Sequence, residues 1–157
     1  MKPCLFGFLF VGIFLPAMSP MAGCNEAKNE AIRKDRKIIE GTWRIIALEV
    51  DGKNTKEEDA RKLIVVNGSD GTWRLRSEEK EISEGTSEFD PTQKPKTIDF
   101  TPTEGGGKGN QYLGIYEFGE TTRKLCFAPA GKERPTEFSS PSGSGHILVT
   151  FERVTIE

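Results

Sequence analysis

Eight short apolar or alternating segments, each bounded by turn residues, constrain what this chain can fold into. In residues 72–76, for example, Trp73 and Leu75 share one face and charged residues take the other, as in a half-buried strand. Neighbouring segments should pair antiparallel, and pairing the last with the first would leave no sheet edge. We therefore predict an all-β fold, an eight-stranded antiparallel up-and-down barrel. The segments are residues 42–50, 63–66, 72–76, 82–89, 97–101, 111–118, 123–128 and 146–154.

Composition fits one domain of this kind. The chain has 157 residues, and its 17 Gly and 9 Pro recur between the apolar segments, where an all-β chain needs turns. Residues 1–23 hold one of the 22 basic residues and none of the 24 acidic ones, which leaves 21 basic against 24 acidic residues. This near balance, without a basic stripe, argues against a nucleic-acid partner.

The pattern of residues 1–23 predicts that they form a signal peptide. Lys2 precedes an apolar run over residues 5–15, which is too short to span a bilayer as a helix. Residues 21–24, Met-Ala-Gly-Cys, resemble the bacterial lipoprotein signal, in which the Cys receives a diacylglycerol. The resemblance implies a lipid anchor at Cys24 on an exported protein of the cell envelope, and Asn25 in place of Asp favours the outer membrane. The alternative is a secretory signal cut near Ala22 or Gly23, which would leave a periplasmic protein.

Residues 24–37 are expected to form a lipidated tether that leads into a barrel domain over residues 38–157. Glu30 and Lys34 lie at i,i+4 spacing within the tether, and Ile38 and Ile39 directly after it are available to pack, a pattern that favours a short helix. Such a helix would cover one end of the barrel. The alternative is a solvated linker that holds the domain off the membrane.

The sequence gives no sign of catalytic, metal or cofactor chemistry. Of the three cysteines, Cys4 lies in the signal and Cys24 at the acyl site, so no disulfide is available to Cys126. A lone Cys in a strand pattern is usually a small buried hydrophobe. Carboxylates such as Asp99 and Glu117 do not occur as a close pair or at metal-ligand spacing. The sequence also shows no nucleophile placed with a base. We therefore expect a protein that is not an enzyme.

The two ends of the domain are expected to meet. Trp43 lies near the start of the first strand and Arg153 near the end of the last, so closure would bring them to the same end of the barrel. There the Arg can stack on the indole and donate to nearby carbonyl groups. Gly41 frees the backbone at the start. This Gly-x-Trp with a late Arg resembles the lipocalin superfamily.

A closer resemblance covers nearly all of residues 38–153. The matching segments resemble an uncharacterised lipocalin-like domain family of small exported planctomycete proteins, and the resemblance implies the barrel but no established activity. They are Gly-Thr-Trp at 41–43, Pro-Lys-Thr-Ile-Asp at 95–99, Gly-Ile-Tyr-Glu at 114–117, Leu-Cys-Phe-Ala-Pro at 125–129 and Arg-Pro-Thr-Glu-Phe at 134–138.

The function then depends on whether the barrel has room inside. Eight strands enclose either a filled core or one small ligand. In the first case aromatic rings fill the core; in the second, Trp73, Phe100, Tyr116 and Phe127 line a pocket for a small apolar or amphipathic molecule. The inward residues are expected to be Trp43, Ile45, Trp73, Leu75, Ile98, Phe100, Tyr116, Phe127, Val149 and Phe151.

The long loop over residues 129–145 supplies the remaining candidate. Arg134 could contact a ligand, or it could pair with a carboxylate such as Glu117 or Glu137 and pin the loop. If the barrel is filled, this loop would instead meet another envelope protein, and the domain would be an interaction module.

Overall fold

A computed structural model describes residues 22–155. Of the signal peptide predicted over residues 1–23, residues 1–21 lie outside the described residues, as do the side chains of Ala22 and Cys24. The elements, in chain order, are α1 (Ala22–Ile39), β1 (Gly41–Val50), β2 (Lys53–Asn54), α2 (Glu57–Ala60), β3 (Leu63–Asn67), β4 (Thr72–Ser77), β5 (Lys80–Asp90), β6 (Lys96–Gly105), β7 (Tyr112–Phe118), β8 (Thr122–Phe127) and β9 (Ile147–Arg153).

The sheet closes into a barrel. Strands β3 to β9 pair antiparallel with their neighbours in sequence, and β1 pairs with both β3 and β9. The two-residue β2 only extends the hairpin after β1. Eight strands therefore form the wall, and the predicted eight-stranded antiparallel up-and-down barrel is confirmed.

A bulge changes which side chains of β1 point into the barrel. Between β1 and β9, Ile45 lies opposite Phe151 but Ala47 lies opposite Thr150, so one extra residue is inserted at Ile46. An inserted residue reverses the alternation of the strand that carries it. Trp43 and Ile45 are therefore followed inside the barrel by Leu48 rather than Ala47.

Residues 24–37, the predicted tether, belong to helix α1, whose C-terminal half packs on one end of the barrel. Asp35 is 5% exposed and accepts hydrogen bonds from the Lys96 ammonium at 2.7 Å and from the Tyr116 hydroxyl at 2.8 Å. Lys28 pairs with Asp90 at 2.7 Å. Because these bonds join the helix to β5, β6 and β7, α1 covers the end at which β1 begins, as one of the two alternatives for this segment expected.

Candidate functional site

The barrel encloses a cavity that opens at the end opposite α1. Its volume is about 500 Å³, within the range of roughly 300–1,000 Å³ typical of small-molecule pockets. Its lining extends from Asn67 and Arg123, at the helix-covered end, to Val50, Ile82 and Tyr112, at the strand ends around the mouth. Between these two ends the lining side chains are mostly apolar.

An aromatic cluster forms one wall. The Phe100 ring stacks on Tyr112 with ring centroids 4.6 Å apart, and it meets the edges of Phe127 at 4.5 Å and Trp73 at 5.6 Å. The Trp73 indole donates to the Thr86 carbonyl at 3.0 Å. Edge-to-face and stacked rings hold one another in fixed orientations, so the wall is a rigid apolar surface.

The floor is built on Trp43, which is 2% exposed. Its indole donates to the Ile39 carbonyl at the end of α1, at 2.7 Å. The Arg153 guanidinium lies 4.4 Å from the ring centroid and donates to the carbonyls of Glu40, at 3.0 Å, and Ile38. The expected meeting of Trp43 and Arg153 is therefore present, with the helix joined to the same cluster.

A second guanidinium occupies the cavity side of this floor. Arg123 is 3% exposed and lies 4.7 Å from the Trp43 ring centroid and 4.4 Å from that of Phe151. Its Nε has no hydrogen-bond partner among the described residues. Burial, together with the charge of Arg153, lowers the pKa of Arg123 to about 9, so the group stays cationic at neutral pH.

Asn67 adds a polar group to the same end of the cavity. It is the last residue of β3 and lies opposite Gly41 of β1 and Trp73 of β4. Asn67 is 8% exposed. Its Nδ2 also has no hydrogen-bond partner within the described range. The floor thus offers two buried donors to a cavity whose lining is otherwise mostly apolar.

Of the side chains predicted to bind a ligand, Trp73, Phe100 and Phe127 line the cavity. Tyr116 points to the interior but not to the cavity, because its ring packs against Phe89 and Phe118 beneath α1. It is 1% exposed, and burial, with the adjacent Asp35 carboxylate, raises the pKa of its hydroxyl. Tyr116 therefore holds the helix in place.

Arg134 lies on the outside of the barrel. Its guanidinium forms a two-point ion pair with Asp99 of β6, with one contact at 3.0 Å, and donates to the Gly114 carbonyl at 2.6 Å. Asp99 faces outward, since Ile98 and Phe100 on either side of it line the cavity. The partner is neither Glu117 nor Glu137, which were the expected carboxylates, but the role is the same: Arg134 fastens the long loop to the barrel.

The fastened loop covers Cys126. This thiol is completely buried, and its Sγ lies 3.3 Å from the Ser139 carbonyl. Burial raises the pKa of the Cys126 thiol, which keeps it in the less reactive protonated form. Cys126 is therefore a packed residue beneath the loop, as the strand pattern predicted.

Several cavity residues were not predicted from the sequence, and Tyr112 and Arg123 are two of them. Tyr112 lies four positions before Tyr116 on β7, and Arg123 lies four before Phe127 on β8. Residues an even number apart share a strand face, so inward positions for Tyr116 and Phe127 imply inward positions for Tyr112 and Arg123 as well. Arg123 was not expected inside the barrel because a charged residue is seldom buried.

Together, the fold and the site define a closed β-barrel with an apolar internal cavity, one covered end and a cationic floor. Searches against family models, curated proteins and solved structures found no match to this chain. The resemblance to the uncharacterised lipocalin-like family therefore stays a prediction from sequence.

No helix in residues 22–155 combines the length and apolar character needed to cross a membrane. The same range contains no group of three or more His, Cys, Asp or Glu side chains placed to hold a metal ion.

Proposed function

We propose that this protein is a non-enzymatic lipoprotein of the cell envelope that binds a small apolar or amphipathic ligand inside its barrel. The observation that carries the proposal is the cavity of about 500 Å³ with a largely apolar lining. Burial of apolar ligand surface there would contribute roughly 25 cal/mol for each Å² removed from water.

The form of the cavity supports the same role. The aromatic wall is fixed by ring contacts around Phe100, so little side-chain ordering would oppose binding. Val50 and Ile82, which are 39% and 40% exposed, place apolar surface at the mouth, where a ligand would arrive. An open cavity favours ligand binding over the alternative of a filled barrel that acts through the 129–145 loop.

The binding step is tested by blocking the cavity. Leu75 lines the cavity, whereas Arg74, next to it on β4, is exposed on the outer face. We expect the wild type to enhance the fluorescence of the neutral dye N-phenylnaphthylamine, Leu75→Trp to abolish most of that enhancement, and Arg74→Trp to leave it unchanged. Equal loss in both variants, or no enhancement by the wild type, would count against an internal ligand site.

The envelope anchor is tested separately, in a bacterium that processes lipoproteins. We expect the full chain to incorporate radiolabelled palmitate and to sediment with membranes, and Cys24→Ser to lose the label and become soluble, because acyl chains supply the membrane hold. Cys126→Ser is the matched control and should keep both properties. An unlabelled wild type would instead support a secretory signal and a periplasmic protein.

A further inference from the structure

The floor of the cavity carries more positive charge than barrel closure requires. Arg153 already stacks on Trp43 and donates to two carbonyl groups at the end of α1. Arg123 also lies over the Trp43 indole ring, and it is part of the cavity lining. Its Nε has no acceptor among the described residues. Closure therefore explains Arg153 but leaves Arg123 unexplained.

Burial of Arg123 in this position is unfavourable without a further partner. A buried cation loses its hydration, and a donor without an acceptor adds a second penalty. The faces of Trp43 and Phe151 offset part of this loss through cation–π attraction, but a ring face does not replace an in-plane acceptor for the Nε hydrogen. The nearby charge of Arg153 repels the same group. An anion at the cavity floor would remove these penalties together.

Asn67 makes an independent case for an acceptor at this end. Its side chain lines the cavity and is 8% exposed, and its Nδ2 has no acceptor within residues 22–155. Buried polar groups in folded proteins almost always have a hydrogen-bond partner. Two such donors therefore lie at one end of a mostly apolar cavity, and a hydrogen-bond acceptor would satisfy both.

The length of the cavity indicates what must be attached to that group. Phe151, at the floor, and Ile147, at the mouth, are four residues apart on β9, which corresponds to about 13 Å at roughly 3.3 Å per residue. The wall between them is apolar. A ligand that fits both ends has an acceptor head and an extended hydrocarbon tail.

We propose that the cavity binds a singly charged amphipathic carboxylate head first, with the carboxylate on Arg123 and Asn67 and an unbranched alkyl chain directed to the mouth. This inference rests on the proposed ligand-binding function and adds to it the ligand class and its orientation. A carboxylate matches the guanidinium in geometry as well as charge. The ligand's negative charge would also offset the repulsion between Arg123 and Arg153.

The test compares three ligands that share one tail. Decanoate, decanol and decylamine are titrated at neutral pH against protein loaded with N-phenylnaphthylamine, and the affinity of each is taken from displacement of the dye. A charged hydrogen bond contributes enough that decanoate should bind about tenfold more tightly than decanol. Decylamine, whose head is a cation, should bind most weakly.

Variants of the floor locate the preference. Arg123→Met should bring the decanoate-to-decanol affinity ratio close to one, Arg123→Lys should retain part of it, and Asn67→Leu should reduce it by a smaller factor. Ser83→Ala is the matched control, because Ser83 lines the cavity at the mouth. A ratio that depends on Ser83 and not on Arg123 would overturn the head-first orientation.

A second measurement does not depend on any variant folding. Decanoate labelled with ¹³C at its carboxyl carbon is titrated while bound to the wild type, and its pKa should lie below that of free decanoate, because a cation favours the ionised head. A raised pKa, as expected in a purely apolar cavity, would overturn the inference.

If decanol and decanoate displace the dye equally well, the carboxylate inference fails while the proposed function stands. If no ligand displaces the dye and the dye itself does not bind, both fail.

Discussion

Gly41 shows how one residue position fixes the closed end of the barrel. Its φ of +107° lies in a region that residues with a side chain rarely adopt, and a Cβ there would lie 3.1 Å from an Arg153 Nη1. The absence of a side chain therefore lets the backbone turn out of α1 and lets the guanidinium reach the carbonyls of Ile38 and Glu40.

Replacement of Gly41 by Ala should lower the free energy of unfolding by roughly 1–3 kcal/mol, the usual magnitude for a strained backbone position. Urea denaturation measures the change. Gly106→Ala is the control, because that glycine has no positive φ and a Cβ added to it would meet no atom within 4 Å, so the stability of this variant should equal or slightly exceed that of the wild type. Equal midpoints for the two variants would show that Gly41 is not a constrained position.

For single residues, the sequence predicts which positions of the strands come together better than it predicts the ion-pair partners of loop residues. Gly41, Trp43 and Arg153 were predicted to meet because the topology leaves them at one end. The outward position of Arg134 and its pairing with Asp99 could not be predicted, since the path of a 17-residue loop over residues 129–145 is not set by local pattern. Arg123 was masked by the rule that charged residues face water.

At the scale of elements, the ion pair between Arg134 and Asp99 is one of the contacts that hold the long loop on the barrel. Arg134→Ala should increase, by about tenfold, the rate at which dithiobis(nitrobenzoate) modifies Cys126. This factor corresponds to a decrease of about 1.4 kcal/mol in the free energy of local opening of the loop. The measurement uses a Cys4→Ser, Cys24→Ser background, so that Cys126 is the only thiol. Arg134→Lys should not restore protection, because a lysine cannot form the two-point pair.

Lys132→Ala provides the control for loop opening. Lys132 is exposed on the same loop, so its removal should leave the modification rate of Cys126 unchanged. A rate in Arg134→Ala that matches Lys132→Ala would mean that other contacts, such as the bond between Ser140 and the His146 carbonyl at 2.7 Å, hold the loop closed.

Helix α1 is docked by a buried polar cluster around Asp35 as well as by Ile32 and Ile39, which pack against the core. Tyr116→Phe removes one hydrogen bond to Asp35 and should lower the free energy of unfolding by about 1 kcal/mol. Asp35→Ala leaves Lys96 and the Tyr116 hydroxyl without this partner, and it should lower the free energy by about 2–3 kcal/mol. Hydrogen exchange of the α1 amides should accelerate in the same order.

The exposed face of α1 supplies the comparison for that order. Glu30 and Arg33 form an ion pair in which both side chains are more than 60% exposed, and such pairs contribute little to stability. Glu30→Gln should therefore leave amide exchange in the docked half of α1 unchanged. A comparable acceleration in Glu30→Gln and Asp35→Ala would indicate that helix propensity, and not docking, governs the order of this segment.

At the scale of the whole molecule, the sequence predicted the closed barrel but not its contents. Eight alternating segments with short turns leave few topologies besides an antiparallel meander, and the order of strands follows directly. The internal volume depends on bulges such as the one at Ile46, which place Leu48 inside, and on how rings like Phe100 stack. Neither feature has a signature in single-sequence patterning, so the choice between a filled and a hollow barrel needed the structure.

Ionisable groups whose pKa values change on folding should set the pH range over which this barrel is stable. The pKa values of Asp51, Asp70 and Asp90 are all lowered in the folded chain, each mainly by hydrogen bonds to its carboxylate. The unfolded chain then binds more protons in acid, so stability falls as the pH falls. The pKa of Tyr116 is raised, so the unfolded chain ionises first above about pH 10 and stability falls again as the pH rises.

Asp90 should account for a measurable part of the acid limit. Its pKa is lowered chiefly by the hydrogen bond from Lys28 of α1, and next by the hydroxyl of Thr92. The stabilisation is therefore complete above the unfolded pKa of about 4 and is lost as the pH falls through the lower folded value. Asp90→Asn should be less stable than the wild type at neutral pH, and the difference should shrink as the pH approaches the folded value.

Chemical denaturation at a series of pH values measures the Asp90 effect, and Lys28→Met separates its two causes. That variant keeps the carboxylate and the Thr92 bonds but removes the cation, so its acid transition should move to higher pH without disappearing. Parallel stability curves for the wild type and Asp90→Asn would contradict the assignment. They would mean that ionisation of Asp90 contributes nothing to the pH dependence of stability, and that other contacts, such as those of Asp35 and the Ile39 carbonyl, hold the helix over the cavity floor.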